Sequence, residues 1–403
     1  MRILPLVLLL FVSPAFSQDP ASPQAEHLSP YGLKGKFLLL NGEKPKDLLD
    51  GEMLTVVDVK KGRLPAGLQL LNKVTEEPKP GSVGIHIPSE AYLLIDSRKM
   101  TNVGKGKITI RLAKSKNREA RHIDLEGKRS ADYNEMRRCA ADRLAGSPYP
   151  PKEVPVPNVP NGTLVIVGGG GMPTEIAKAF VEAGGGSDGE FVFLPISMPD
   201  PIKTQPEETF MRKLGAKNVH VIPFREQKDL EDPKTLEILK KATGIWFGGG
   251  RQWNFMDAYE GTKLPDLFRE VLKRGGVIGG SSAGATIQGD YMVRGAPAGP
   301  NIMMCEGYER ALAFLPGTAI DQHFTARNRF KDMTGFMKAY PQYLGIGLDE
   351  ATAIIVRGTT AEIMGKGKVH FYDRRKPVVE GEPDYEAYPA GTKYDLKERK
   401  VLK

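Results

Sequence analysis

Beyond residue 161 the apolar positions fall into short unbroken runs separated by stretches of helical spacing. Runs at 163–167, 191–196, 219–222, 244–247 and 276–279 predict strands, and 174–183, 207–214, 233–241 and 264–274 predict the helices between them. A strand apolar along its whole length is covered on both faces, and strands alternating with helices build a mostly parallel sheet. Residues 161–403 therefore read as a doubly wound α/β domain. After residue 344 the pattern reverts to strands at 345–348, 353–356, 361–364 and 369–372. These are expected to form an antiparallel finish to the same domain.

The preceding part of the chain has another rhythm. From 31 to 146, strand-like runs at 36–40, 53–57, 91–95 and 108–112 are spaced by Gly, Pro, Asn and Lys clusters, with one helix expected near 131–144. This is a small, mainly β accessory domain. Residues 147–160 hold six prolines in fourteen positions with no helical or strand period, which predicts an extended, semi-rigid linker. At the other end, residues 18–30 are polar and Pro-rich, a loose leader. Arg2, an apolar run over 3–12 broken only by Pro5, and small Ala15 and Ser17 have the pattern of a signal peptide, with cleavage expected before Gln18. That run is too short to cross a hydrocarbon core, which needs about 20 apolar residues. A secreted or periplasmic protein is the expectation.

Composition narrows the function classes. Among 403 residues, 40% are hydrophobic and 26% charged, as in an ordinary globular protein, which excludes collagen, coiled coil and wholesale disorder. Lys and Arg number 57 against 49 Asp and Glu, a net charge of +8, which falls short of the dense basic stripe of a nucleic-acid binder. Between Thr101 and Ala140 there are 11 basic against 5 acidic residues, an excess of six, either a solvated surface or a patch that attracts an anionic polymer. The only cysteines, Cys139 and Cys305, could pair in an oxidising compartment or stand as two buried thiols. The six His are scattered singly with no CxxC or HExxH, so no metal is expected.

Two glycine-rich segments carry the chemistry. Gly168 to Gly171 follow the first α/β strand, but Pro173 breaks the dinucleotide fingerprint and no GxxxxGK[ST] is present, which leaves a close-approach loop lining a cleft and no organic cofactor. Gly280-Ser-Ser-Ala-Gly284 matches GxSxG between an apolar strand and a helix-compatible stretch. A nucleophile elbow needs small flanking residues for a tight, strained turn, and the helix start offers N–H groups to an oxyanion. Ser282 then needs a base and the base an orienting acid. His323 follows an apolar stretch at the expected carboxyl edge of the sheet. Glu350 and its neighbour Asp349 compete as the acid, and Arg327 and Arg329 could grip a substrate carboxylate.

Residues from about Thr163 to Tyr372 resemble the cyanophycinase family of serine peptidases, relatives of the α-aspartyl dipeptidase peptidase E. The likeness rests on Gly-Ser-Ser-Ala-Gly-Ala at 280–285, on Asp321-Gln-His-Phe324 followed by Arg327 and Arg329, and on Gly345-Ile-Gly-Leu-Asp-Glu350. Phe247-Gly-Gly-Gly-Arg-Gln252 adds to it by resembling the family's Gly-Gly-Asp-Gln loop. It implies a fold like class I glutamine amidotransferase domains, with Ser282 as nucleophile, His323 as base and Glu350 orienting it. It also implies substrate contacts from Gln252, Asp321, Gln322, Arg327 and Arg329. The family's substrate, cyanophycin, is a poly-aspartate backbone bearing arginine on each side chain.

Two positions depart from that pattern: Arg251 stands where the family usually has Asp, and Asp332 where a third Arg is expected. Charge reversals in a substrate pocket could invert which substrate charge is recognised. The resulting expectation is a secreted serine hydrolase of aspartyl peptide or isopeptide bonds, with a peptide or polyamide as partner, no nucleic acid and no transmembrane span. A homodimer is compatible with it. The N–H of Ala283 and one from the Gly249 and Gly250 loop would hold the oxyanion. The rival from another class is a catalytically idle binding protein for charged peptides or cell-wall polymer. A glutaminase would need Cys at the elbow.

Overall fold

The computed structural model describes residues 28–29, 32–33, 35–41, 54–65, 67–145, 149–199, 201–202 and 204–402. The signal-peptide reading lies outside them.

Why the second half folds as it does is visible in Val159–Val167. Leu164 and Ile166 project into one buried cluster, Val165 and Val167 into another, so both faces of the strand are covered. This strand sits inside a nine-stranded sheet. Five strands run parallel, in the order Asn218–Val221, Glu190–Leu194, Gly244–Phe247, Val277–Ser281 and Val159–Val167. Four antiparallel strands continue it: Thr352–Gly358, Thr360–Gly365, Lys393–Asp395 and Lys400–Val401. Helix Thr174–Ala183 packs on one face through Ile176, Phe180 and Val181. Helices Pro233–Lys241, Gln252–Tyr259 and Leu264–Lys273 pack on the other.

The expected antiparallel finish is corrected. Leu344–Leu348 and Lys368–Asp373 leave the main sheet for a separate four-stranded one, in the order Thr318–Asp321, Leu344–Leu348, Lys368–Asp373 and Glu386–Pro389. In it Leu344–Leu348 is parallel to Thr318–Asp321. Both strands are wholly buried, and apolar strands of this kind look alike in sequence whichever sheet they join.

The accessory region builds its own core from a four-stranded and a five-stranded sheet packed with helix Tyr133–Leu144, through Tyr133, Met136, Cys139 and Ala140. Part of its basic surplus is turned inward, while Lys105, Lys107, Lys114, Lys116, Lys128 and Arg129 are exposed. Arg98, in the turn between Tyr92–Asp96 and Lys99–Asn102, donates to Asp257 at 2.9 Å and to the Tyr308 hydroxyl at 3.0 Å. Arg138 pairs with Glu260 at 2.8 Å and donates to the Gly307 carbonyl at 2.7 Å. Arg143 meets Glu306 at 2.9 Å, and Arg118 pairs with Glu309. These arginines thus dock the accessory region onto acids of the second half. The Pro-rich segment is likewise no free spacer. Its Tyr149 hydroxyl donates to the Asp290 carbonyl at 3.0 Å, and Pro151 accepts from Gln342 at 2.7 Å.

Cys139 and Cys305 are free, buried thiols that both approach the Glu306 carbonyl, at 3.2 and 3.6 Å. Burial pushes both thiols up, away from the reactive thiolate. No helix among the described residues is long and apolar enough to cross a membrane.

Candidate active site

Loops leaving the carboxyl ends of the parallel strands converge on one point, where an open α/β sheet offers its binding crevice. Val277–Ser281 ends at Ser282, whose backbone has φ 55° and ψ −112°. A non-glycine residue holds such a conformation only when its surroundings enforce it. Here the Ser282 N–H donates to the Val167 carbonyl at 3.0 Å, and helix Ala283–Thr286 begins at the next residue. The turn lifts Oγ to 2.9 Å from Nε2 of His323 and 3.4 Å from the Gln322 side-chain oxygen.

His323 follows Thr318–Asp321 and is itself strained, at φ 50°. Its Nδ1 lies 2.6 Å from Oε1 of Glu350, which follows Leu344–Leu348. Because carboxylates only accept, Nδ1 carries the proton and Nε2 faces Ser282 as an acceptor. Burial pushes the His323 pKa below its ordinary 6.5; the Glu350 hydrogen bond opposes this and the nearby Arg327 charge adds to it. A neutral imidazole at neutral pH is the form that can take a proton. Asp349 is occupied elsewhere, accepting from Thr325 N–H, Lys368 N–H and His370. Although burial raises its pKa, those bonds hold it down to about 2. Of the two carboxylates, Glu350 is the one in contact with His323.

The tetraglycine loop is a clamp on this pair. Gly168 O accepts from His323 N–H at 2.8 Å, and Gly169 O from Ala351 N–H at 2.7 Å. A Cβ at Gly169 would lie 2.5 Å from His323 Nε2, and one at Gly170 would lie 2.5 Å from Glu350 Cγ. Only glycine lets the backbone press this closely on both side chains.

Opposite stands the Gly248–Gly250 loop, fixed by Ser197, whose hydroxyl reaches the carbonyls of Gly248 at 3.0 Å and Gly249 at 2.7 Å. Gly249 lies against Ser282, and the N–H groups of Gly249 and Gly250 have no acceptor among the described residues. Ala283, as the first residue of its helix, also has an N–H without an intrahelical partner.

The expected substrate contacts divide. Gln322 reaches Ser282, and Arg327 and Arg251 are exposed at the site's margin. Three others are buried and paired within the protein. Asp321 is fully buried, gripped by Arg294 at 3.0 Å and Arg329 at 2.6 Å. Arg329 is buried too, donating also to the Gln322 carbonyl at 2.7 Å. The Gln252 amide is buried and donates to Val293 O at 3.1 Å. Asp321 and Arg329 hold Gln322 in place. Asp332 pairs with Arg294 at 2.7 Å. An Arg at position 332 would set two guanidinium groups together, so Asp332 balances the network and Arg251 alone remains a reversed charge facing outward. Arg294 and Ser197 were not singled out from the sequence, because their roles depend on partners distant in the chain.

The model of peptidase family S51 matches residues 163–364, half of the chain, and that span contains Ser282, His323 and Glu350. The chain belongs to peptidase family S51. This S51 member is a serine-type peptidase. It is 32% identical over 204 residues to a cyanophycinase of Geminocystis herdmanii, covering 49% of this chain and 75% of that one. It is 26% identical over 253 residues to a cyanophycinase of Trichormus variabilis, covering 61% and 85%. Among solved structures, a peptidase from an acI-B1 Actinobacterium has a TM-score of 0.45 at 22% identity, over 58% of this chain and 97% of that one.

Proposed function

We propose that the protein hydrolyses peptide or isopeptide bonds at aspartyl residues, in a cyanophycin-like polymer or in α- or β-aspartyl peptides, through Ser282, His323 and Glu350. The observation that carries the reading is the continuous relay from Ser282 Oγ through the imidazole to Glu350, at 2.9 and 2.6 Å. Ser282 attacks the scissile carbonyl as its proton passes to His323 Nε2. The carbonyl oxygen, now anionic, is received by the N–H of Ala283 and of Gly249 or Gly250. His323 then gives its proton to the leaving nitrogen, and an ester remains on Ser282. Water deprotonated by the same imidazole hydrolyses it and restores the hydroxyl. Glu350 offsets the imidazolium charge in both halves and keeps the ring in register. The finer fold class, a doubly wound, amidotransferase-like sheet, belongs to this reading, as does export after cleavage before Gln18.

The test is kinetic. Ser282→Ala and His323→Ala are each expected to lower kcat on an aspartyl peptide by about 10³-fold or more, with the double variant scarcely worse, since triad members act as a unit. Losses that multiply would contradict the relay.

A further inference from the structure

At the Gly248–Gly250 loop, whose Gly249 lies against Ser282, a cleft of about 410 Å³ opens with Gly250 in its wall. Its walls include Met198, Arg225, Gly250, Arg251, Trp253 and Asn254, and no Asp or Glu is among the residues that line it. The cleft is rigid. Arg225 donates to the carbonyls of Ile196 and Met198, and Trp253 is backed by the Arg98 guanidinium from the accessory region, 4.1 Å from its ring centroid. A side chain at Gly250 would collide with the Ser197 carbonyl, which keeps the floor open.

Arg251 is the element in this frame that its own fold does not explain. It is exposed and makes no ion pair with any described residue. It also caps the N-terminus of helix Gln252–Tyr259, where the helix dipole disfavours a cation. Neither packing nor capping accounts for a guanidinium there, whereas an anion entering the cleft would satisfy both Arg251 and the helix end.

We propose that this cleft is a subsite for a carboxylate-bearing side chain next to the scissile bond, with Arg251 as its specificity-determining residue. The inference rests on Ser282 being the nucleophile, because Gly250 lines the cleft and its neighbour Gly249 lies against Ser282. An arginine side chain placed in the same cleft would meet like charge, so the subsite selects acidic aspartyl peptides over arginine-bearing ones.

The full-length protein is assayed on aspartyl peptides of equal length in which the residue before or after the aspartyl group is Glu, Gln, Leu or Arg. In one of the two sets, kcat/KM for Glu is expected to exceed that for Arg by about tenfold, with Gln between them, a size set by a partly solvated charge contact. Arg251→Gln should collapse that ratio and Arg251→Glu should invert it, with thermal unfolding unchanged. Higher salt should compress it. Cleavage of the Leu peptides with no charge ranking, a preference for Arg, or a ratio that survives Arg251→Gln overturns the subsite alone. Absence of cleavage of every peptide, with Ser282 unlabelled by a fluorophosphonate, removes the nucleophile and the subsite together.

Discussion

Gly169, Gly170 and Gly171 have φ values of 91°, 65° and 116°, so an alanine carries a backbone cost at each, about 1–2 kcal/mol at Gly170 and more at the other two, which lie outside the left-handed region. What the added methyl meets differs at each position. At Gly169 it meets the His323 ring, at Gly170 the Glu350 side chain, and at Gly171 nothing within 4 Å. The ring cannot yield without moving away from Ser282, and a displacement of about 1 Å costs about 10²-fold in kcat. Glu350 is 42% exposed and can swing aside, which leaves the base without its orienting acid but in place, so Gly170→Ala should lose about tenfold. Gly171→Ala carries the backbone cost alone and should keep kcat within about twofold. Initial rates on a small aspartyl peptide, beside urea unfolding of each variant, separate the two effects. Equal losses of kcat across the three, or a folded Gly169→Ala variant with unchanged kcat, would refute the clamp.

The base should leave its mark on pH dependence. His323 acts in its neutral form with its pKa held below 6.5, so kcat/KM should rise with pH through a value below 6.5, and Arg327→Gln should move that limb upward; a pH–rate profile decides it. Asp321→Asn removes the charge that Arg294 and Arg329 share and should destabilise by about 3–5 kcal/mol in urea unfolding, with loss of activity following loss of fold. Arg98→Ala removes one of the partners of fully buried Asp257, beside Arg138 and Tyr308, and the stack on Trp253. It should cost about 3 kcal/mol and raise KM more than it lowers kcat, read from unfolding and steady-state kinetics.

Features that depend on near neighbours in the chain were legible without coordinates. The 174–183 and 233–241 helices fall where their spacing put them, and Gly280 to Gly284 mark the elbow because a strained turn needs small residues wherever it occurs. Distant partners were not legible. Arg118 and Arg121, within the basic run over 101–140, read as surface cations because their partners Glu309 and Glu306 lie far along the chain. Helix Gln252–Tyr259 escaped notice because seven of its eight residues are buried, which erases the amphipathic period. Asp321 reads as a substrate contact from the family resemblance alone, whereas its burial and its pairing with Arg294 depend on a partner 27 positions away.

Whether Ser282 is the activated nucleophile is tested most directly by fluorophosphonate labelling of the folded protein, with the modified residue located by mass spectrometry. A single adduct on Ser282 is expected, absent in Ser282→Ala and slowed by orders of magnitude in His323→Ala, because an isolated serine hydroxyl is a weak nucleophile. A protein that cleaves aspartyl peptides while Ser282 stays unlabelled, or that labels equally fast without His323, would contradict it.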